Sequence, residues 1–145
     1  MQVREIMRGK SKSQLKYAKV SDTVEEVASR LRIENVGAVP IQNEDGHIVG
    51  MIAERDVVRA IADYGARALA MNCTEIVPQS LETCKPHEKM AQVARLMTER
   101  RVRHLLVKSD GEITGIVSIG DVVKHRLDEL ELEAGVLRDL AVART

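Results

Sequence analysis

Phenylalanine and tryptophan are absent from this chain, and Tyr17 and Tyr64 are its only aromatic residues. Proteins that hold single-stranded nucleic acid do so by stacking bases on aromatic rings, and this composition argues against such a platform. Any base bound here must be gripped by aliphatic side chains and backbone. An excess of charge is also missing: 22 lysines and arginines balance 22 aspartates and glutamates. No global field draws in a nucleic acid or a membrane surface. Cysteine is scarce, and the ten residues between Cys73 and Cys84 fit no metal-binding spacing. The first nine residues carry Arg4, Glu5 and Arg8, which excludes the apolar core of a secretory leader. Two reduced thiols in a cytoplasmic protein are therefore expected. No apolar run approaches the roughly 20 residues of a membrane helix. His47, His87 and His125 are scattered without metal spacing and read as surface residues. No nucleophile stands near a paired base, so the chain reads as non-catalytic, with no catalytic cofactor and no metal.

What the chain does have is Val, Ile, Leu, Ala and Met in two periodicities, over 145 residues, enough for one compact unit with a real core. Residues 2–7 form a short amphipathic piece, and residues 8–16, rich in Lys, Ser and Gln, read as a loop. Tyr17–Val20 is a short strand. Ser21-Asp22-Thr23 followed by Glu25 and Glu26 signals a helix start. Val24, Val27, Ala28 and Leu31 then give one buried helical face over 22–34. Asn35-Val36-Gly37 ends that helix. Ala38–Ile41 is an apolar strand whose Pro40 argues against a regular central ladder at that point. Asn43-Glu44-Asp45-Gly46 signals a hairpin, and Ile48–Ala53 returns. Glu54-Arg55-Asp56 opens a helix that Gly65 stops.

The same order then recurs. Val24, Val27, Ala28 and Leu31 reappear 66 positions later as Met90, Val93, Ala94 and Met97, and Ala38–Ile41 as His104–Val107. Beyond the hairpin the offset falls to 65: Asp45-Gly46 matches Asp110-Gly111, Gly50 matches Gly115, and Asp56 matches Asp121. A one-residue change confined to a hairpin loop is what a structural repeat tolerates. Thr74-Glu75-Ile76-Val77 also echoes Arg4-Glu5-Ile6-Met7. The unit is thus strand–helix–strand–strand–helix, present twice. Neither copy can bury both faces of a three-stranded sheet alone. The expected fold is α+β, two repeats related by a pseudo-twofold axis, each a short three-stranded sheet with two helices. The boundaries are 1–68, 69–130 and a C-terminal helical extension over 131–145. Crevices between the copies are natural ligand sites.

Gly115-Ile116-Val117-Ser118-Ile119-Gly120-Asp121 is the densest of these motifs. A strand ends at a small polar turn and a helix opens. Two readings are open. Asp121 caps the helix, as acids in the first turn commonly do. Alternatively, its carboxylate, the Ser118 hydroxyl and the free N–H groups of the helix mouth hold the hydroxyls and phosphate of a ribonucleotide. The first copy keeps Asp56 but has Ala53 in place of the hydroxyl. Arg100, Arg101, Arg103 and His104 make a basic cluster. Arg100 and Arg101 suit a helix C-terminus, whereas Arg103 and His104 lie past it and are candidates for phosphate. The last helix carries Val123, Leu127, Leu130, Ala134, Leu137 and Ala141 at steps of three and four, beyond the length the repeat needs. That stripe reads as a homodimer contact.

These residues resemble a pair of CBS domains (a Bateman module). The resemblance runs from Val3 to about Leu130, with Gly-x-x-Ser-x-x-Asp closing the second copy and Gly-x-x-x-x-x-Asp closing the first. The chain is especially similar to small stand-alone bacterial CBS-pair proteins, most of all over Met97–Leu105 and Gly115–Asp121. The resemblance implies a sensor that binds adenosine-containing nucleotides (AMP, ADP, ATP or NAD(H)-like) between the repeats. It assigns Asp121 to one ribose and Asp56 to a second, and gives Ser118 to ribose or phosphate. Arg103 and His104 face phosphate, and Arg55 beside Asp56 is a further phosphate candidate. The adenine is lined by Val36, Gly37 and Ala38, with Ile6 and Met7 from the N-terminal segment. With Ala53 for the hydroxyl, the Asp56 site departs from the pattern. The alternative is a ligand-free dimerisation module acting through a protein partner, whose identity the sequence does not reveal.

Overall fold

The computed structural model describes residues 1–8 and 16–143. Thr23 opens the first long helix, α2 (Val24–Ile33), through a reciprocal capping box. Its hydroxyl accepts from the Glu26 N–H at 3.2 Å, and the Glu26 carboxylate accepts from the Thr23 N–H at 3.4 Å. Val24, Val27 and Leu31 are buried, as the helical spacing requires. The equivalent α4 (Met90–Arg100) buries Met90, Val93 and Met97. Left-handed residues follow both helices at matching positions, Asn35 with φ 53° and Arg101 with φ 55°. A short helix, α1 (Val3–Arg8), precedes them. Residues 9–15 of the expected N-terminal loop lie outside the described residues.

Each repeat contributes one three-stranded sheet. β1 (Ala18–Lys19), β2 (Ala38–Gln42) and β3 (Ile48–Ala53) are ordered β1-β2-β3, and β4 (Thr83–Cys84), β5 (His104–Ser109) and β6 (Glu112–Ser118) repeat that order. The middle strand pairs parallel with the first and antiparallel with the third. Pro40 therefore sits in a central strand, at a price visible in the register. Its counterpart Leu106 pairs with Thr83 and donates its N–H to the Glu82 carbonyl at 3.0 Å. Pro40 has no N–H to donate, and the parallel ladder of the first sheet begins only at Ile41. The second hairpin turns on Asp110 and Gly111, both with positive φ, in the two-residue form favoured by strand twist. The first is one residue longer. There the Asn43 carboxamide oxygen accepts from the Asp45 and His47 N–H groups at 3.0 and 2.9 Å.

The helices α3 (Glu54–Tyr64) and α5 (Ile119–Ala143) follow the third strands directly. His125 departs from the expected surface role. It is 8% exposed, because it occupies on α5 the core-facing position that Ala60 holds on α3. Its Nε2–H donates to Glu129 Oε1 at 3.0 Å.

The segments before the repeats are exchanged. Val3 donates its N–H to the Glu88 carbonyl and Met90 donates to Met1, both at 2.9 Å, so the N-terminus lies against the second repeat. Cys73 donates to Asp22 and Val24 donates to Met71, again at 2.9 Å, so the middle segment lies against the first. Val3, with Ile6 and Met7, joins the core of Cys84, Met90, Leu105 and Val117. Cys73, with Met71, Ile76 and Val77, joins that of Val24, Leu31, Ile41 and Ile52. A cut at 68/69 therefore runs through both cores.

Aliphatic and methionine side chains fill the volume that aromatics usually take. Both cysteines are buried. Burial, assisted by Glu88, pushes the Cys84 thiol up to about 12. Burial first and Asp22 second raise Cys73, whose Sγ–H donates to the Lys19 carbonyl at 3.2 Å. Because the thiolate is the reactive form, the folded protein is expected to take no iodoacetamide at neutral pH and the unfolded protein two equivalents, read by intact mass. An adduct on the folded protein would overturn this.

Candidate functional site

The two strand-to-helix junctions, β3 into α3 and β6 into α5, face each other between the repeats. They enclose a cavity of about 460 Å³. Its lining is almost entirely repeat-related pairs: Gly37 with Arg103, Ala53 with Ser118, Glu54 with Ile119 and Arg55 with Gly120. His104 completes it, where the matching Ala38 is buried in β2. The cavity thus lies on the pseudo-twofold axis, and sequence divergence between the copies makes it chemically lopsided.

Matching backbone bonds hold its frame. The Glu54 N–H donates to the Gly37 carbonyl at 3.0 Å and the Ile119 N–H to the Arg103 carbonyl at 2.8 Å. Across the cavity, Arg55 Nη1 donates to the Arg101 carbonyl at 2.8 Å. That carbonyl belongs to the left-handed residue ending α4, where orphan carbonyls need donors. His104 leans over Gly37, where a Cβ would come within 3.0 Å of Cε1. Gly37 therefore gives room to an imidazole here.

Both acids serve as helix caps. Asp121 Oδ2 accepts from the Ser118 N–H at 2.8 Å and from its hydroxyl at 3.1 Å, and the Asp121 N–H donates back to Ser118 Oγ at 3.3 Å. In the first repeat only one bond of this set remains, Ala53 N–H to Asp56 Oδ2 at 2.8 Å. Both carboxylates are half-buried behind the cavity wall. Of the residues expected at a site, Gly37, Arg55, Arg103, His104 and Ser118 line the cavity. Asp56 and Asp121 do not. Val36 lines an adjoining groove, Ala38 is buried, and Ile6 and Met7 pack on the second core. Glu54, Ile119 and Gly120 also form the wall, although the sequence gives no sign of it for Glu54 or Ile119. The offset of 65 applied to the candidate Arg55 points to Gly120.

Two grooves adjoin the cavity at repeat-related positions. One is lined by Met97, Thr98, Arg101, Val102, Arg103 and Ile119, with Arg55. The other is lined by Leu31, Arg32, Asn35, Val36, Gly37 and Glu54, with Ala28, Val57 and Val58. Asn35 stands for Arg101, Gly37 for Arg103 and Glu54 for Ile119. The first groove consequently has three arginines in its lining, and the second has Arg32 and Glu54. Among the described residues, no three His, Cys, Asp or Glu side chains cluster closely enough to hold a metal ion.

A family model for the CBS domain matches residues 3–63 and 73–128. The chain belongs to the CBS domain family. Its CBS pair is 32% identical over 134 residues to the mitochondrial CBS domain-containing protein CBSX3 of Arabidopsis thaliana, covering 88% of this chain and 65% of that protein. The CBS-domain containing protein ATU1752 from Agrobacterium tumefaciens superposes with a TM-score of 0.80 at 31% identity, covering 86% of this chain and 92% of that one. The CBS domain pair of protein MJ0100, solved with 5′-methylthioadenosine and S-adenosyl-L-methionine, superposes with a TM-score of 0.73 at 26% identity, covering 86% and 98%. No helix of this CBS pair, among the described residues, is long and apolar enough to cross a membrane.

Proposed function

We propose that this CBS pair is a regulatory module that binds a phosphate-bearing adenosine nucleotide (AMP, ADP, ATP or NAD(H)) between its repeats. The observation that carries this reading is the convergence of Arg55, Arg101 and Arg103 at a groove opening beside the Ser118 hydroxyl and His104. Guanidinium groups match phosphate oxygens with planar pairs of donors. The adenosyl ligands of the MJ0100 pair support the nucleoside half of the assignment. The arginines argue for a phosphate tail over the sulfonium of S-adenosylmethionine, which three cations would repel.

In this reading Asp121 takes the ribose hydroxyls, which donate to the same carboxylate that Ser118 caps. The base goes to Val36 and Gly37, in the groove adjoining the cavity, with the His104 ring turning off Gly37 to admit it. The Asp56 side lacks the hydroxyl and the matching arginines, so it binds more weakly. Output passes through a protein partner or a change of assembly. The outward apolar face of α5 supports a homodimer.

Calorimetry with AMP, ADP, ATP, NADH and S-adenosylmethionine tests the proposal. Affinity is expected to rise with phosphate charge and fall with salt, and Asp121→Ala to cost about 1.5–3 kcal/mol of binding. No adenosyl ligand binding below millimolar, or S-adenosylmethionine binding more tightly than ATP, would overturn it. A module without ligand would melt at a temperature indifferent to nucleotide.

A further inference from the structure

His104 stands at a divide. The cavity on the pseudo-twofold axis and the groove running past Val36 share Gly37 and Glu54 in their walls, and His104 lines the cavity alone. Its imidazole rests on Gly37, so close that a Cβ there would lie 3.0 Å from Cε1 and 3.2 Å from Nε2. The residue is half-buried and opens β5, across from Ser118. The other half of the module has no such divide. The repeat mate of His104 is Ala38, which is buried in β2, and the mate of Gly37 is Arg103. A flat ring therefore closes one passage only. It is the passage that a nucleotide straddles when its base lies at Gly37 and its phosphates reach Arg55 and Arg103.

We propose that His104 makes this site selective for phosphorylated nucleosides: its imidazole holds the place of the base on Gly37 and leaves it for phosphate. The inference rests on the nucleotide reading and adds the residue that discriminates among adenosyl ligands. Lifting the ring forfeits its contact with Gly37. Every ligand whose base enters the groove bears that cost, and its apparent affinity falls by the fraction of molecules in which the ring stands clear. A free nucleoside offers the displaced imidazole nothing in return. A phosphate does, because an imidazole keeps an N–H to donate in either protonation state. Hydrogen bonds to an ionised acceptor are the stronger kind. Arg103 and Ser118 line the same cavity, so the displaced ring stays among the groups that meet the phosphate. Base and phosphate thus touch different walls and are coupled through one side chain.

Calorimetry of the wild type and His104→Ala with adenosine and with AMP tests this. The variant is expected to bind adenosine about tenfold more tightly, because no ring has to leave. It is expected to bind AMP no more tightly than the wild type, because the bond to phosphate is lost as well. A residue that only shaped the pocket would move both ligands in the same direction. Proton NMR of the wild type reads the ring directly and does not depend on the variant. A nuclear Overhauser contact between the His104 Cε1 proton and the Gly37 Cα protons is expected in the free protein and should vanish on saturation with AMP. A variant that binds adenosine no more tightly, or whose preference for AMP over adenosine does not fall, would overturn the role of His104. So would a ring contact that survives AMP. Each of those results leaves the nucleotide site standing. A wild type that binds neither AMP nor ATP would overturn the site and the role of His104 together.

Discussion

Gly50→Ala is expected to destabilise the protein by about 1–3 kcal/mol, the usual cost of overpacking. Gly50 lies in β3 with a negative φ, so its backbone tolerates alanine. The obstacle is space: a Cβ there would lie 2.4 Å from Val77 Cγ1. Valine is stiff at χ1 and cannot swing aside cheaply. Val77 belongs to the segment that precedes the second repeat and packs on the first core. The variant therefore pries apart the exchanged segments without touching the ligand cavity. Gly115 is the repeat mate, and there a Cβ would meet the terminal methyl of Met7. Methionine has three rotatable side-chain bonds and adapts, so Gly115→Ala should cost distinctly less. Urea unfolding of both variants checks the ranking. Val77→Ala combined with Gly50→Ala should recover stability relative to Val77→Ala alone, as coupled neighbours do. Additive losses would show that the two residues do not meet.

Arg103→Ala is expected to weaken nucleotide binding by about 1.5–3 kcal/mol, or about 10–100-fold in Kd, while adenosine binding changes little. The backbone of Arg103 has a structural task, accepting from the Ile119 N–H at 2.8 Å, and alanine preserves it. The side chain is exposed and shares its groove with Arg55 and Arg101. Removing one of three neighbouring cations relieves repulsion, so the melting point without ligand should hold or rise. Stabilisation by ATP should fall. Calorimetry with ATP and adenosine at two salt concentrations separates the outcomes. The ATP affinity of the variant should also depend less steeply on salt. An equal loss for ATP and adenosine would mean that Arg103 shapes the base pocket and does not grip phosphate.

His125 and His104 mark where reading by spacing stops working. Spacing can exclude a zinc motif, but burial depends on which side of a helix the neighbouring chain covers. His125 goes inward because it shares with Val122 the side of α5 turned to the domain. His104 reaches the cavity because glycine stands opposite it at position 37. Asp121 is instructive in another way. Capping and ribose anchoring were open alternatives in the sequence, and the structure shows the cap in full. The ribose role is a separate proposal, in which the same carboxylate takes further donors.

The sequence by itself determined the duplicated unit, the strand and helix of each element, the unequal hairpins and the loss of a hydroxyl at Ala53. These are local properties: hydrophobic period, caps, turn residues and a constant offset between copies. Only the tertiary structure decided that Met1–Arg8 joins the second core and Met71–Val77 the first. Only it set Arg55 on the carbonyl of Arg101, and joined three arginines into one groove while leaving its mate without them. Those contacts link residues many positions apart, through packing that no local period encodes. A chain without phenylalanine or tryptophan seats Val77 on Gly50 and Met7 on Gly115, and which side chain meets which glycine is settled only when the two repeats close.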